Sequence, residues 1–197
     1  MQHGITRITI TDQLNGQGAW RFAAARAHQP AANELYRKIF AELGMPLAEG
    51  DYDWRVEKKE FIAGYDHLLG IDVIFTFQGG QEATLQEKFL NTNYNSVTVE
   101  YMQNPSTGEQ GDWFKMKCDY YFVGYDQFRT NRFQSWILLN WPMTRQLTNQ
   151  GKITWYDKQN TKDGARASFR YVHFNSLPEC CIVHGFWQPR NIGGAMP

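Results

Sequence analysis

Cysteine is scarce in this chain of 197 residues: Cys118, Cys180 and Cys181 are its three thiols. Three thiols, two of them adjacent, do not make the framework of a disulfide-stapled scaffold. Neighbouring cysteines rarely bridge each other and do not comfortably share one tetrahedral ion, so His173 and His184 beside them do not complete a zinc site. Reduced thiols in a cytoplasm are the expectation. No motif around any cysteine suggests a Cys-His hydrolase. Charge of one sign is also lacking, since 20 Lys and Arg balance 20 Asp and Glu. No overall field therefore steers nucleic acid toward the protein. No apolar run approaches the roughly 20 residues of a membrane span, and the first residues lack a basic-then-apolar signal pattern. The expectation is a soluble, intracellular protein with no membrane partner. Repeats, low-complexity segments and clear linkers are missing too, which predicts one domain over residues 1–197.

Apolar residues make up 42% of the chain and aromatic residues 15%. That is ample for a core and argues against disorder. The charges balance overall but are segregated. Residues 42–87 hold ten acids against three bases, and residues 129–170 hold eight bases against two acids. Carboxylates for cations beside arginines for phosphates would suit a metal-dependent enzyme acting on nucleic acid. Solvated surface charge is the ordinary alternative.

Two runs stand out: Gly70-Ile71-Asp72-Val73-Ile74-Phe75-Thr76-Phe77 and Thr84-Leu85-Gln86-Glu87-Lys88-Phe89. Both are short and rich in β-formers, and Gly79-Gly80 lies in the turn between them, so they predict a β-hairpin. Side chains alternate along a strand, which sets Asp72, Ile74 and Thr76 on one face. On the second strand Thr84, Gln86 and Lys88 share one face, while Leu85, Glu87 and Phe89 share the other. A carboxylate and a lysine can thus converge on neighbouring strands. A surface ion pair between them would contribute under about 1 kcal/mol. A strand as apolar as 71–77, however, does not bury an acid without a task.

A helix carrying Glu34, then Asp72 in a Gly-Ile-Asp-Val strand, then Gln86-Glu87-Lys88, then the strand-like run from Lys117 to Val123 together resemble the PD-(D/E)XK nuclease superfamily. That superfamily includes restriction endonucleases, junction resolvases and phage exonucleases, so a phage or mobile-element setting is among those implied. The resemblance covers about residues 33–125. It implies an α/β fold with a restriction-endonuclease-like core over about 30–125: a central mixed β-sheet flanked by helices, in the order αβββαβ. A segment before Asp72 would have to supply the first strand. A basic, aromatic, β-rich extension would follow over about 126–190. The implied activity is hydrolysis of DNA phosphodiester bonds with Mg2+ (or Mn2+). Asp72 would anchor the ion, Gln86 would sit beside it, and Glu34 would reach in from the helix. Lys88 would orient the attacking water or meet charge on the phosphate. The chain departs from the superfamily at Gln86, where Glu or Asp is usual. Three outcomes stay open: the site works with Gln86, a bulge turns Glu87 inward, or metal binding is weakened. For Glu34 the ordinary alternative is an exposed pair with Lys38.

Along the chain, residues 5–10 alternate like an edge strand. Residues 20–27 and about 31–43 read as two helical segments, with Pro30 in the first turn of the second and a stop at Gly44 and Pro46. Residues 54–65 fit helix and strand equally. Strands are expected over 97–101 and 113–125, a turn at 104–108, a helix over 136–150 interrupted by Pro142, and strands over 153–156 and 168–172. Candidates for gripping DNA are Arg129, Arg132, Lys158, Lys162, Arg166 and Arg170, interleaved with Phe128, Phe133, Trp155 and Tyr156. Aromatics in strands are more often core. The alternatives to a nuclease are a catalytically inactive nuclease-fold protein that binds nucleic acid or serves assembly, and a protein-interaction module. Many such nucleases act as homodimers so that both strands are cut, but nothing in the sequence specifies a dimer surface.

Overall fold

A computed structural model describes residues 19–48, 69–126, 130–160 and 167–187, with side chains in the first helix described from Ala27 onward. The expected segments at 5–10 and 54–65 lie outside the described residues.

Helix α1 spans Ala19–Glu42 without a break and carries Pro30 inside. The two segments expected on either side of Pro30 are therefore one helix. Pro30 removes one ladder hydrogen bond, but most helical stability comes from packing a face, and Ala32, Tyr36, Ile39 and Phe40 are all fully buried. The helix stops where the sequence predicts. Gly44 turns left-handed at φ +72. The Met45 amide donates to the Phe40 carbonyl at 2.8 Å and the Gly44 amide to Ala41 at 3.0 Å. This double bond pattern satisfies carbonyls that the last turn leaves open.

The hairpin forms as predicted. Strand β1 (Val73–Thr76) and strand β2 (Glu82–Leu90) pair antiparallel with Val73 opposite Leu85. The Gly80 amide donates to the Phe77 carbonyl at 2.8 Å, and Gly80 takes φ +80. That position accepts glycine with no steric cost.

The hairpin is one edge of a five-stranded sheet in the order β1-β2-β5-β6-β9, with β5 at Tyr120–Tyr125, β6 at Ser135–Asn140 and β9 at Ile182–Phe186. The β2–β5 pair is parallel and the others antiparallel, so the sheet is mixed. Between β2 and β5 the chain builds β3 (Ser96–Asn104), β4 (Glu109–Gln110) and the short helix α2 (Asp112–Lys115). Strands β3 and β4 join β7 (Tyr156–Gln159) and β8 (Ser168–His173) in a second sheet, ordered β4-β3-β8-β7.

Three expectations need correction. Trp113 lies in α2 rather than in a strand. Residues 135–140 form a strand: all of Ser135–Leu139 are buried between β5 and β9, and the helix α3 (Trp141–Asn149) begins only after it. Asn140 makes the switch, its side chain accepting the Met143 amide at 2.9 Å, while Pro142 sits in the first turn. The strand expected over 153–156 begins at Tyr156 instead.

The described residues are therefore mixed α/β, mostly strands, with few helices. Helix α1 covers one face of the five-stranded sheet, with Phe75, Leu85, Phe122 and Leu138 beneath it. The other face meets the second sheet: Tyr121, Val123 and Ile137 share a core with Val97, Val99 and Val172. Trp113 of α2 and Trp141 and Leu147 of α3 join the core on that face, where β3 and β8 add an apolar stripe of their own.

Candidate functional site

Asp72 immediately precedes β1, and its amide donates to the Leu85 carbonyl at 2.9 Å. Continuing the hairpin register by one residue sets Asp72 opposite Gln86. Its Oδ2 accepts the Glu87 amide at 2.8 Å, so a carboxylate stands where a strand carbonyl would otherwise continue the ladder. This bond fixes the Asp72 side chain against β2 at the edge of the sheet.

Gln86 and Lys88 lie opposite Tyr121 and Val123 of β5, and paired strand residues share a face. Both therefore look toward the second sheet, and both are half-buried. The Gln86 Oε1 is buried and has no hydrogen-bond partner among the described residues. A carbonyl-type oxygen in such a place is costly to leave bare and suits a water, a donor or a cation. Lys88 makes no ion pair among the described residues, so the simple Asp72–Lys88 surface pair is not what holds it there.

Glu87 faces the other way. Its Oε1 accepts the Tyr36 hydroxyl at 2.7 Å and lies 3.5 Å from Gln29 Nε2, both on α1. The register of β2 with β5 is regular over Leu85–Leu90, so no bulge turns Glu87 toward Gln86 and Lys88. Glu34 is exposed on α1, on the Glu87 side of the sheet, and does not join Asp72. Its expected pairing with Lys38 is replaced by Lys38–Glu42 at 4.0 Å between exposed side chains, worth a few tenths of a kcal/mol. The structure thus brings Asp72, Gln86 and Lys88 together and separates Glu34 and Glu87 from them.

Two neighbours escaped the sequence reading. Cys118 is buried beside Gln86. Burial pushes its thiol up to about 12, with the Gln86 amide pulling the other way and Asp119 and Asp72 adding to the rise. It is an inert, protonated thiol at neutral pH. Asp119 accepts the Thr84 amide and hydroxyl, each at 2.8 Å, and ties the start of β5 to β2. Neither contact has a local signal, since each joins residues more than thirty apart.

Arg129, Lys162 and Arg166 lie outside the described residues. Arg132 and Lys158 are exposed. Arg170 is turned inward, its Nε donating to Asp157 Oδ1 at 2.9 Å and its guanidinium 3.8 Å from the centre of the Tyr101 ring. Phe133 and Trp155 pack against the cores, whereas Tyr156 is 51% exposed.

A divalent ion has a modest donor set here. Among the described residues no group of three or more His, Cys, Asp or Glu is placed to hold a metal. Asp72 and the orphaned Gln86 oxygen nevertheless fit a hard ion that takes one carboxylate and a carbonyl-type oxygen and keeps its remaining waters. No helix among the described residues is long and apolar enough to cross a membrane. Comparison with protein-family models, with curated proteins and with solved structures gives no match for this chain.

Proposed function

We propose that this protein is a Mg2+- or Mn2+-dependent nuclease that hydrolyses DNA phosphodiester bonds, with a hairpin site of the PD-(D/E)XK kind. The observation that carries the reading is the buried Gln86 Oε1, without a hydrogen-bond partner among the described residues, on the residue opposite Asp72, with Lys88 two residues further along the same face. The antiparallel hairpin followed by a parallel β2–β5 pair supports it as well, as does a helix packed on the hairpin.

Asp72 and Gln86 would hold the ion. When bound, it supplies a water of lowered pKa and charge to polarise the phosphate. The protein does the rest. Asp72 is held by the Glu87 amide, so it need not reorganise when an ion arrives. Glu87 is itself clamped by Tyr36, which fixes that stretch of β2. Lys88, half-buried and without a carboxylate partner among the described residues, brings a positive charge to the face where a phosphate would sit.

The test is nicking and linearisation of supercoiled plasmid with Mg2+, Mn2+ or chelator, beside ion-binding calorimetry. Lys88→Ala should abolish cleavage while leaving fold and DNA affinity nearly intact. Asp72→Asn should lose cleavage and also weaken ion binding. Its amide oxygen can still accept the Glu87 amide, so the fold should survive. Equal cleavage by wild type and Lys88→Ala would remove the hairpin from the reaction.

One observation favours a second reading. Gln86 stands where a charged ligand is usual and the two nearby glutamates point elsewhere, so the same fold could bind nucleic acid without cutting it. Salt-sensitive DNA binding with no cleavage in either ion would select that reading.

A further inference from the structure

Helix α3 and strand β8 each turn an arginine onto one indole. The Arg145 guanidinium carbon lies 4.4 Å from the centre of the Trp113 ring and 5.9 Å from that of Trp141. The Arg170 guanidinium carbon lies 3.8 Å from the centre of the Tyr101 ring and 5.0 Å from that of Trp113. Trp155 packs edge-on against Trp113 at 5.0 Å and is held by its own Nε1 donating to Thr148 Oγ1 at 2.9 Å. Two cations therefore share a half-buried, aromatic-walled place.

Among the described residues the acids do not match them. Arg170 has Asp157, whose side chain is 61% exposed. Arg145 uses Nη1 to donate to the Trp113 carbonyl and has no carboxylate among the described residues. Asp112, next to Trp113 in the chain, pairs with neither arginine. Burial, and then the charge of Arg170, lower the pKa of Arg145, as expected for a cation lacking a counter-charge. A guanidinium has five donors; with Nη1 of Arg145 on the Trp113 carbonyl and Nε of Arg170 on Asp157, further N–H groups in the plane of each stacked guanidinium can meet an oxyanion. Both side chains keep partial access to solvent.

We infer that Arg145 and Arg170, gathered around Trp113, form a binding site for a phosphate group. The two guanidiniums donate to phosphate oxygens and the aromatic rings hold them in position, restoring the charge balance the fold leaves open. A nucleic-acid backbone and a free phosphate would both satisfy this chemistry. The site shares no residue with the hairpin and does not depend on the hairpin's reaction.

The experiment titrates the whole protein with inorganic phosphate and with a short single-stranded oligonucleotide, read by calorimetry and by tryptophan emission, since Trp113 and Trp141 touch the guanidiniums. Arg145→Gln and Arg170→Gln should each weaken binding about tenfold and reduce the salt slope for the oligonucleotide by about one. Arg145→Lys keeps the charge but loses the planar fork, and should also weaken binding. Should a Gln variant fail to fold by thermal melting, the Lys variant decides. Binding of the oligonucleotide identifies a nucleic-acid backbone as the ligand, and binding of inorganic phosphate alone a free phosphate. Either supports the site. It is overturned if wild type binds neither, or if folded variants bind as wild type does. Normal phosphate binding by Lys88→Ala, with cleavage lost, separates this site from the hairpin. Loss of cleavage chemistry altogether leaves it standing.

Discussion

Gln86 carries more of the functional argument than any charged residue, because its amide oxygen is buried with no donor to it among the described residues. Giving that position a charge tests what it is for. Gln86→Glu should raise affinity for Mg2+ or Mn2+ by roughly tenfold, because a second carboxylate joins Asp72 around a hard cation. Without the ion the same substitution should lower the melting temperature, since two carboxylates then face each other across the hairpin. Calorimetry and melting with and without divalent ion check both signs. Unchanged ion affinity would mean that the Gln86 oxygen does not face a cation. This residue was legible as the oddity of the motif. That Glu87 is no substitute was not legible, because only the packing of α1, through Tyr36, uses up its carboxylate.

Among the elements, the switch from β6 into α3 turns on a single side chain. Residues 136–150 look like one helix because Leu138, Leu139, Met143 and Leu147 recur at helical spacing. The chain instead spends Ser135–Asn140 as a strand bonded on both sides and starts the helix with Asn140 as its cap. Asn140→Ala should cost about 1 kcal/mol by urea unfolding, with Asn140→Asp nearly neutral, since either Asn or Asp can accept the Met143 amide. Equal loss in both variants would show that the β5 pairing, rather than the cap, depends on Asn140. The hairpin was the easier element to read. Its alternation, its glycine turn and its length all point to one answer, and the register follows from keeping Leu85 under α1.

At the scale of the molecule, buried titratable groups bound stability on both sides of neutral pH. Asp126 is fully buried. Burial opposes its charge, but the Thr130 and Asn131 amides, His28 and the Thr130 hydroxyl outweigh that and hold its pKa below the ordinary 3.8. A depressed carboxylate stabilises the fold above its unfolded value and loses that contribution as pH falls below it. Cys118 and Tyr121 have the opposite sign, because burial raises both. The unfolded chain releases the Cys118 proton from about 9.0 upward while the folded chain keeps it to about 12, so stability falls across that interval. Urea midpoints from pH 2 to 11 should show both declines. Asp126→Asn should flatten the acid limb. Cys118→Ala should shallow the alkaline limb by about 1.4 kcal/mol per pH unit, the weight of one proton. Unaltered limbs would place the titrating groups elsewhere.

Local chemistry was enough for the hairpin, the end of α1 at Gly44, the β8 strand and the Asp72–Lys88 spacing, because each depends on residues within a few positions of one another. Contact across the chain decided the rest. Pro30 stays helical because the face of α1 that follows it, through Ala32, Tyr36, Ile39 and Phe40, is buried against the sheet. Residues 135–140 are a strand because two neighbours bond to them. Arg170 turns inward because Tyr101 and Trp113, distant in sequence, offer it their rings. Glu87 and Lys88 are adjacent in the chain yet serve opposite faces of the sheet, and only the layers packed on those faces determine what each one meets.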